Sequence, residues 1–128
     1  MKNLTTETFK EKIFDYTQNK EWLFNGKKPT IIDFYADWCN PCKSVAPILE
    51  ELSIEFDSID FYKVDTETES ELAITLGIQS IPSTLFIPFN GQPQMVIGAL
   101  PKETFKKAIN KIFFDETPEN ASEKESKE

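Results

Sequence analysis

The chain has 128 residues and a formal net charge of −8, from 14 basic and 22 acidic residues. This length fits one domain, and a hydrophobic fraction of 39% is enough for a single modest core. All the basic residues are lysine, and the sequence has no histidine. An acidic chain without arginine is poorly suited to bind nucleic-acid phosphates, and the lack of histidine excludes Ser-His-Asp and Cys-His catalysis.

The first predicted element is a helix over residues 5–17. Thr5 can cap this helix, and Leu4 and Phe9 are spaced as a hydrophobic staple across its start. Residues 18–29 predict a loop whose large apolar side chains reach the core. These side chains are Trp22, Leu23 and Phe24.

A buried strand and a long helix are predicted next. Residues 30–36 are apolar without alternation apart from Asp33, which is typical of a central strand covered on both faces. Residues 40–56 carry apolar side chains at spacings of three and four, and this pattern predicts a helix. Phe61–Val64 then predicts a second strand.

A third helix and a hairpin are expected after the second strand. Thr68 and Glu71 are spaced as a capping box, which predicts a helix that opens there and ends at Gly77. The hairpin has its turn at Asn90-Gly91. Its two strands are Thr84–Phe89 and Gln94–Ile97.

The last predicted helix spans residues 101–114, with a clean apolar stripe. The resulting order, α-β-α-β-α-β-β-α, predicts an α/β fold whose mixed sheet has helices on both faces. Residues 115–128 have no apolar period and are rich in glutamate, lysine and serine. We predict that they form an acidic, disordered tail.

Both cysteines lie at the predicted junction between strand and helix, on either side of Asn40 and Pro41. The first amides of the helix and the positive end of its dipole face the Cys39 sulfur. They favour the thiolate and lower the pKa of Cys39 below its usual value of about 8.5. The thiolate is the nucleophile of disulfide exchange, and Cys42 is placed to attack the mixed disulfide that forms.

Three other roles for this pair remain open. A structural disulfide is one, although closing so short a loop removes little entropy from the unfolded chain. Half of a zinc site is another, but carboxylates or a second chain would have to supply the remaining ligands. The third is a pair of inert thiols. The junction of strand and helix favours redox chemistry over all three.

One set of motifs runs through nearly the whole chain. It consists of the run from Asp33 to Lys43, then Pro47, then Ile81-Pro82, then Gly98-Ala99. In this order and spacing the motifs resemble the thioredoxin family over residues 4–114. The resemblance implies a thioredoxin-like fold with a central mixed sheet of four to five strands, in a domain spanning residues 1–114.

The resemblance also implies roles for individual residues. Cys39 matches the attacking cysteine, Cys42 the buried resolving cysteine, and Asp33 the buried acid behind it. A lone carboxyl in an apolar central strand should have a raised pKa, which suits a proton acceptor for Cys42 near neutral pH; a solvated strand edge is the alternative. Pro82 matches a cis-proline that faces the cysteines, an ordinary trans proline being the alternative.

A contact surface around Cys39 is implied as well. The backbone of Ile81, the residue before the cis-proline, would pair with an extended substrate. The surface would be apolar and nearly without charge, although Gly98 is open to a purely structural role in a bulge or close packing. Its members are Trp38, Pro41, Ile81, Gly98 and Ala99, with Asn40 beside them.

The sequence departs from the family pattern at several positions. Asn40 replaces the glycine of the usual Gly-Pro pair, and its amide could donate a hydrogen bond to the Cys39 thiolate or could simply face solvent. Phe61 stands where many members place a lysine near the buried acid, so one cation that would hold Asp33 ionised is lost. Ser83 stands where threonine is usual. The short N-terminus implies that the first strand is stunted or missing.

The function implied is thiol–disulfide exchange by a protein-disulfide reductase, an electron carrier whose dithiol reduces disulfides in partner proteins. The oxidised carrier would be recharged by NADPH through a flavin-containing thioredoxin reductase, with no cofactor bound to the chain itself. We expect a monomer. One alternative is an oxidant or isomerase of exported proteins, and another is a non-catalytic binding module of the same fold.

Cellular location follows from weaker features of the sequence. No apolar stretch approaches the roughly 18 residues of a membrane helix, and the polar start at Met1–Glu7 lacks the apolar segment of a signal peptide. A secreted disulfide scaffold would also spread more cysteines along the chain. We therefore expect a cytoplasmic protein that is not bound to a membrane, unless a signal was removed upstream.

Overall fold

The computed structural model describes residues 1–114, in which a sheet of five strands is combined with four helices. The predicted acidic tail lies outside these residues. No helix of the described part has the length and apolar character needed to cross a bilayer. The elements are β1 (Lys2–Asn3), α1 (Thr6–Lys12), β2 (Thr30–Tyr35), α2 (Asn40–Glu55), β3 (Asp60–Asp65), α3 (Ser70–Thr75), β4 (Ser83–Ile87), β5 (Gln94–Ile97) and α4 (Lys102–Phe113).

The sheet has the strand order β1-β3-β2-β4-β5. β3 is parallel to β1 and β2, while β4 is antiparallel to β2 and β5. The predicted mixed sheet is therefore confirmed, and β1 is the stunted first strand that the short N-terminus implied. β2 lies at the centre of the sheet and is paired on both sides, so its C-terminal end is a rigid support for a site.

Two apolar clusters cover the two faces of the sheet. On one face, Ile32 of β2 packs with the predicted staple Leu4 and Phe9, and with Leu72 of α3. On the other face, Ile31 of β2 packs with side chains of α2 and α4. The alternation along β2 explains why its sequence is apolar without a period, because each face buries its own set of side chains.

The first helix begins as predicted but ends early. Thr5 caps it, and the side chains of Thr5 and Thr8 each accept the other residue's backbone amide. The helix ends at Lys12 rather than at residue 17. Beyond it, the Asp15 carboxylate accepts hydrogen bonds from the backbone amide and hydroxyl of Thr17. This local turn competes with the helix for the backbone, so the predicted end was wrong.

The loop after the first helix contributes less to the core than predicted. Trp22 and Phe24 pack against the cluster that contains Phe9, and their rings stack 6.3 Å apart. Leu23 points the other way and is 55% exposed. Because neighbouring side chains of an extended segment point to opposite sides, the segment cannot bury all three. The prediction for Leu23 was wrong.

The predicted capping box of the third helix is also wrong. α3 begins at Ser70, and its N-cap residue makes no side-chain capping bond. The Thr68 hydroxyl instead donates to the Asp65 carbonyl, while the Glu71 carboxylate accepts a hydrogen bond from Tyr16. Both side chains thus have other partners. The helix ends before Gly77, as predicted.

The hairpin is present, but its connection is longer than a two-residue turn. β4 ends at Ile87, two residues before the predicted end, and β5 begins at Gln94. Pro88 follows directly and has no amide with which to continue the ladder. The connection therefore runs over residues 88–93, and Asn90-Gly91 lies within it.

Candidate active site

Cys39 and Cys42 lie where the central strand passes into α2, and they form a disulfide. Cys39 has an extended backbone and is the N-cap residue of the helix. Its sulfur accepts a hydrogen bond from the backbone amide of Cys42 at 3.2 Å. An N-cap acceptor satisfies one of the free amides at a helix start. The predicted position of Cys39 is therefore confirmed.

The electrostatic setting of Cys39 favours a negative charge on its sulfur. The first turn of α2 contains no acidic residue, so no side chain there competes for the free amides. Pro41 occupies the first turn, where its missing amide leaves no bond unmade. Free amides and the positive end of a helix dipole are the surroundings that favour a thiolate over a thiol.

Both cysteines are covered in the disulfide state, each being 3% exposed. They form a small cluster with Ala36, and Tyr35 and Ile81 pack against it. In the disulfide state, the exposure of the two cysteines therefore does not distinguish the expected attacking cysteine, Cys39, from the expected resolving cysteine, Cys42. Within residues 1–114, no group of three or more cysteine or acidic side chains is placed to hold a metal ion.

The peptide bond between Ile81 and Pro82 is cis, as the resemblance implied. The alternative of an ordinary trans proline was wrong. The Pro82 carbonyl accepts a hydrogen bond from the Gly98 amide at 2.9 Å. Gly98 has a φ of 114°, which side chains with a Cβ rarely adopt, although a Cβ there would have room beside Leu100. Glycine at position 98 is thus required by the backbone that supports the proline loop.

The residues expected to form the contact surface are exposed or half-buried. Trp38 is 67% exposed, and Asn40, Pro41 and Ala99 are also exposed, while Ile81 and Gly98 are half-buried. None of these residues carries a charge.

The surface also extends towards α3, which the sequence did not predict. A depression of about 230 Å³ lies between Trp38, Ile81 and α3. Ile74, on the α3 side, is 79% exposed. The sequence alone does not show that this isoleucine lies on the surface beside Trp38, because its neighbours in space are known only from the fold.

Asp33 is buried at the centre of the sheet, with 1% of its surface exposed. The alternative of a solvated strand edge was wrong. Burial raises the pKa of Asp33 from 3.8 to about 7, and the nearby Lys63 ammonium partly opposes that rise. A carboxyl with this pKa exchanges a proton near neutral pH, which a general base requires.

A cavity of about 190 Å³ joins Asp33 to Cys42. Both residues line it, so the Asp33 carboxyl and the Cys42 side chain border a common space. The remaining lining residues are Tyr35, Ala36, Asp37, Lys43, Ala46 and Lys63.

Lys63 supplies the cation that Phe61 does not. Phe61 is itself buried among side chains of α2 and α4, but Lys63 lies directly opposite Asp33 on the neighbouring strand. Its ammonium lies 5.9 Å from the centre of the Tyr35 ring, and this contact favours a fixed position. Sequence reasoning missed Lys63 because only the strand register shows which residue of β3 faces Asp33.

Asn40 does not contact the Cys39 sulfur in the disulfide state. Its side chain is exposed, and among residues 1–114 the group that hydrogen-bonds to Cys39 Sγ is the Cys42 amide. A bond from Asn40 to the thiolate of the reduced protein stays a prediction.

Comparison with known proteins agrees with this geometry. The Thioredoxin family profile matches residues 1–111. A thioredoxin of Borreliella burgdorferi is 49% identical over 112 residues, which cover 87% of this chain and 96% of that protein. A thioredoxin of Pyropia yezoensis is 36% identical over 95 residues, covering 73% of this chain and 89% of that protein.

A solved structure supports the fold independently. The crystal structure of chloroplastic thioredoxin z superposes with a TM-score of 0.74 and 24% sequence identity, over 88% of this chain and 93% of that one. The chain has a five-stranded mixed sheet and a disulfide at the start of α2, and it matches thioredoxins along most of its length. We conclude that this chain belongs to the thioredoxin family.

Proposed function

We propose that this chain reduces disulfide bonds in partner proteins through Cys39 and Cys42. Thioredoxins are thiol–disulfide oxidoreductases, and this chain carries their pair of cysteines as a disulfide. The observation that supports the proposal most directly is the hydrogen bond from the Cys42 amide to the Cys39 sulfur at the start of α2. It marks the place where a thiolate is stabilised.

The reaction consists of two exchanges. The Cys39 thiolate attacks one sulfur of the partner's disulfide, forming a mixed disulfide, and the partner's other sulfur leaves as a thiolate that takes a proton. The Cys42 thiolate then attacks Cys39 Sγ and displaces the partner's remaining sulfur. Two electrons have passed to the partner, and the chain is left with the Cys39–Cys42 disulfide.

Asp33 acts in the second exchange. Cys42 must lose its proton before it can attack, and the proposal for Asp33 is supported by the cavity that both residues line. A base is most effective when its pKa is near the working pH, and the pKa of Asp33 is about 7. Asp33 takes the Cys42 proton and Lys63 offsets part of the cost of the resulting buried charge.

The partner docks on the uncharged surface around the disulfide. Trp38, Asn40, Pro41 and Ala99 offer exposed contact area. Ile81, which packs against the cysteines and precedes Pro82, offers its backbone to an extended segment of the partner. Gly98 holds the proline loop through its hydrogen bond to the Pro82 carbonyl. A surface without charges accepts many partners, because it rejects none by electrostatic repulsion.

The wider setting of the reaction follows from the family. Thioredoxins bind no cofactor themselves, and their partners are a reductase and proteins that carry disulfides. For this chain we propose that the electrons come from NADPH through a flavin-containing thioredoxin reductase. We further propose that residues 1–114 form the domain that acts, as a monomer in the cytoplasm, with residues 115–128 as a separate acidic tail.

The reduction of insulin disulfides tests the proposed activity. With dithiothreitol, and separately with thioredoxin reductase and NADPH, we expect the full chain to precipitate the insulin B chain and the Cys39→Ser variant to be inactive. The sequence contains only two cysteines, so the Cys42→Ser variant should trap a mixed disulfide on Cys39 that mass spectrometry detects. Full biological activity of a variant that lacks both cysteines would instead favour a non-catalytic binding module.

The role of Asp33 is tested by the Asp33→Asn variant, which keeps the shape of the side chain and removes its charge. We expect release of the mixed disulfide at about pH 7 to slow by about 100-fold, since no base takes the Cys42 proton. Stopped-flow measurement of the release step checks this. Asp37→Asn, an exposed position lining the same cavity, is the matched control and should change little.

The same variant tests the burial of the charge. The pKa of Asp33 is higher in the folded protein than the unfolded value of 3.8, so the folded state binds its proton more tightly and loses stability as pH rises from about 4 to about 7. The loss is on the order of 4 kcal/mol. Chemical denaturation at about pH 4 and about pH 8 should show this loss of unfolding free energy in the parent protein and not in Asp33→Asn. If the unfolding free energy changed equally between the two pH values in both proteins, Asp33 would have an ordinary pKa.

The prediction for Asn40 concerns the reduction potential. If the Asn40 amide hydrogen-bonds to the thiolate, it stabilises the reduced protein, and Asn40→Gly should lower the potential by about 30 mV for each 1.4 kcal/mol lost. Equilibration with glutathione measures the reduction potentials of the parent and of Asn40→Gly. An unchanged or higher potential in the variant rejects the bond. A parent potential well above those of thioredoxins would favour the alternative of an oxidant or isomerase.

A further inference from the structure

Two buried polar atoms, one of them on the proposed base, belong to residues that are partners across the sheet. Asp33 Oδ1 and Thr84 Oγ1 are both buried, and neither makes a hydrogen bond within the described part of the chain. Thr84 is fully buried, and Asp33 is 1% exposed. Buried polar groups are nearly always hydrogen-bonded in native proteins. An unpaired hydroxyl next to an unpaired carboxyl oxygen therefore requires an explanation.

The sheet register places the two side chains together. Asp33 of β2 and Thr84 of β4 are direct partners across an antiparallel pair. Such partners point to the same face, with Cβ atoms about 5 Å apart. The adjacent pair on this face, Ile31 and Phe86, packs in the cluster under α2 and α4. Asp33 and Thr84 thus form the pair next to the apolar pair Ile31–Phe86 on this face of the sheet.

We infer that Thr84 is a positioning residue whose hydroxyl donates a hydrogen bond to the Asp33 carboxylate, stabilises its ionised form and so sets the pH at which Asp33 accepts the Cys42 proton. An ionised carboxylate only accepts hydrogen bonds, whereas a hydroxyl can turn to donate or to accept. Rotation of the Thr84 side chain, or one water between the two oxygens, joins them. The catalytic part of this inference rests on the proposed function of Asp33.

The hydroxyl has no evident structural use. Valine has nearly the same shape as threonine and suits the interior of a strand equally well. It would also avoid burying a polar group without a partner. Ser83, the preceding residue, has a partner for its buried hydroxyl, which donates to the Ser80 carbonyl at 2.6 Å. Among residues 1–114, the Thr84 hydroxyl has no such partner, and Asp33 is the residue directly across from it in the sheet.

Several elements bring polar or titratable groups to the surroundings of Asp33. Lys63 of β3 favours the charged form. The cavity shared with Asp33 also holds Lys43 and Cys42 of α2, and Tyr35 and Asp37 at the end of β2. Thr84 is the group of β4 directly opposite. Burial opposes the charge, so the Lys63 ammonium and the Thr84 hydroxyl are the groups that restore the carboxylate near neutral pH.

The test measures the pKa of Asp33 directly, by following its carboxyl carbon through a pH titration with NMR in the full chain. Thr84→Val removes the hydroxyl and keeps the shape, so the pKa of Asp33 should rise by about one unit. Thr84→Ser keeps the hydroxyl and should restore the parent value. Lys63→Met removes the cation and should also raise the pKa of Asp33. It serves as the positive control, because it shows that the titration detects the loss of a group that stabilises the carboxylate.

A change of packing alone would give a different pattern. Thr84→Ala also lacks the hydroxyl, so it should raise the pKa as Thr84→Val does, although it leaves more empty space. If Thr84→Val and Thr84→Ala both leave the pKa unchanged, or if Thr84→Ser raises it equally, the inference is wrong. Thr84→Ala also serves as the test variant should Thr84→Val fail to fold.

The release rate separates this inference from the proposed function. We expect the pH profile of mixed-disulfide release to move upward in Thr84→Val together with the pKa, and Thr84→Val to have no effect on release in an Asp33→Asn background. A pKa that rises while the release profile stays fixed would support the hydrogen bond and contradict the proton transfer by Asp33. An unchanged pKa with release that still depends on Asp33 would overturn only the role of Thr84.

Discussion

The contact on which the active site depends is the hydrogen bond from the Cys42 amide to the Cys39 sulfur. It exists because a strand buried on both faces ends at Tyr35, a short turn before a long helix begins at Asn40. The strand fixes where the sulfur lies, and the helix start supplies donors that no other backbone group uses. Redox chemistry follows from this position, since a sulfur elsewhere on the surface would ionise as ordinary cysteine does.

Behind the sulfurs, a second constraint governs the proton. A carboxyl at the centre of the sheet is costly when charged, and the protein offsets part of that cost with Lys63 on one neighbouring strand. Thr84 lies at the matching position on the other strand. The pKa of Asp33 near neutrality is therefore a balance between burial and its neighbours across the sheet. Because the buried carboxylate is charged at neutral and alkaline pH, the protein is less stable there.

Much of this arrangement could be predicted from the sequence, because local patterns specify it. The unbroken apolar run around Asp33 and the spacing of the cysteines are local signals, and the structure confirmed the buried strand and the helix that begins after Cys39. What failed depends on partners distant in the chain. Leu23 is exposed because its neighbours use the available core, and Lys63 is found only through the register between two strands.

The central claim is that the start of α2 holds Cys39 as an anion. The most direct measurement is a titration of the single thiol of the reduced Cys42→Ser variant, by thiolate absorbance and by the rate of alkylation as a function of pH. We expect a pKa for Cys39 clearly below the value of about 8.5 that is typical of free cysteine. A pKa at or above that value would contradict it.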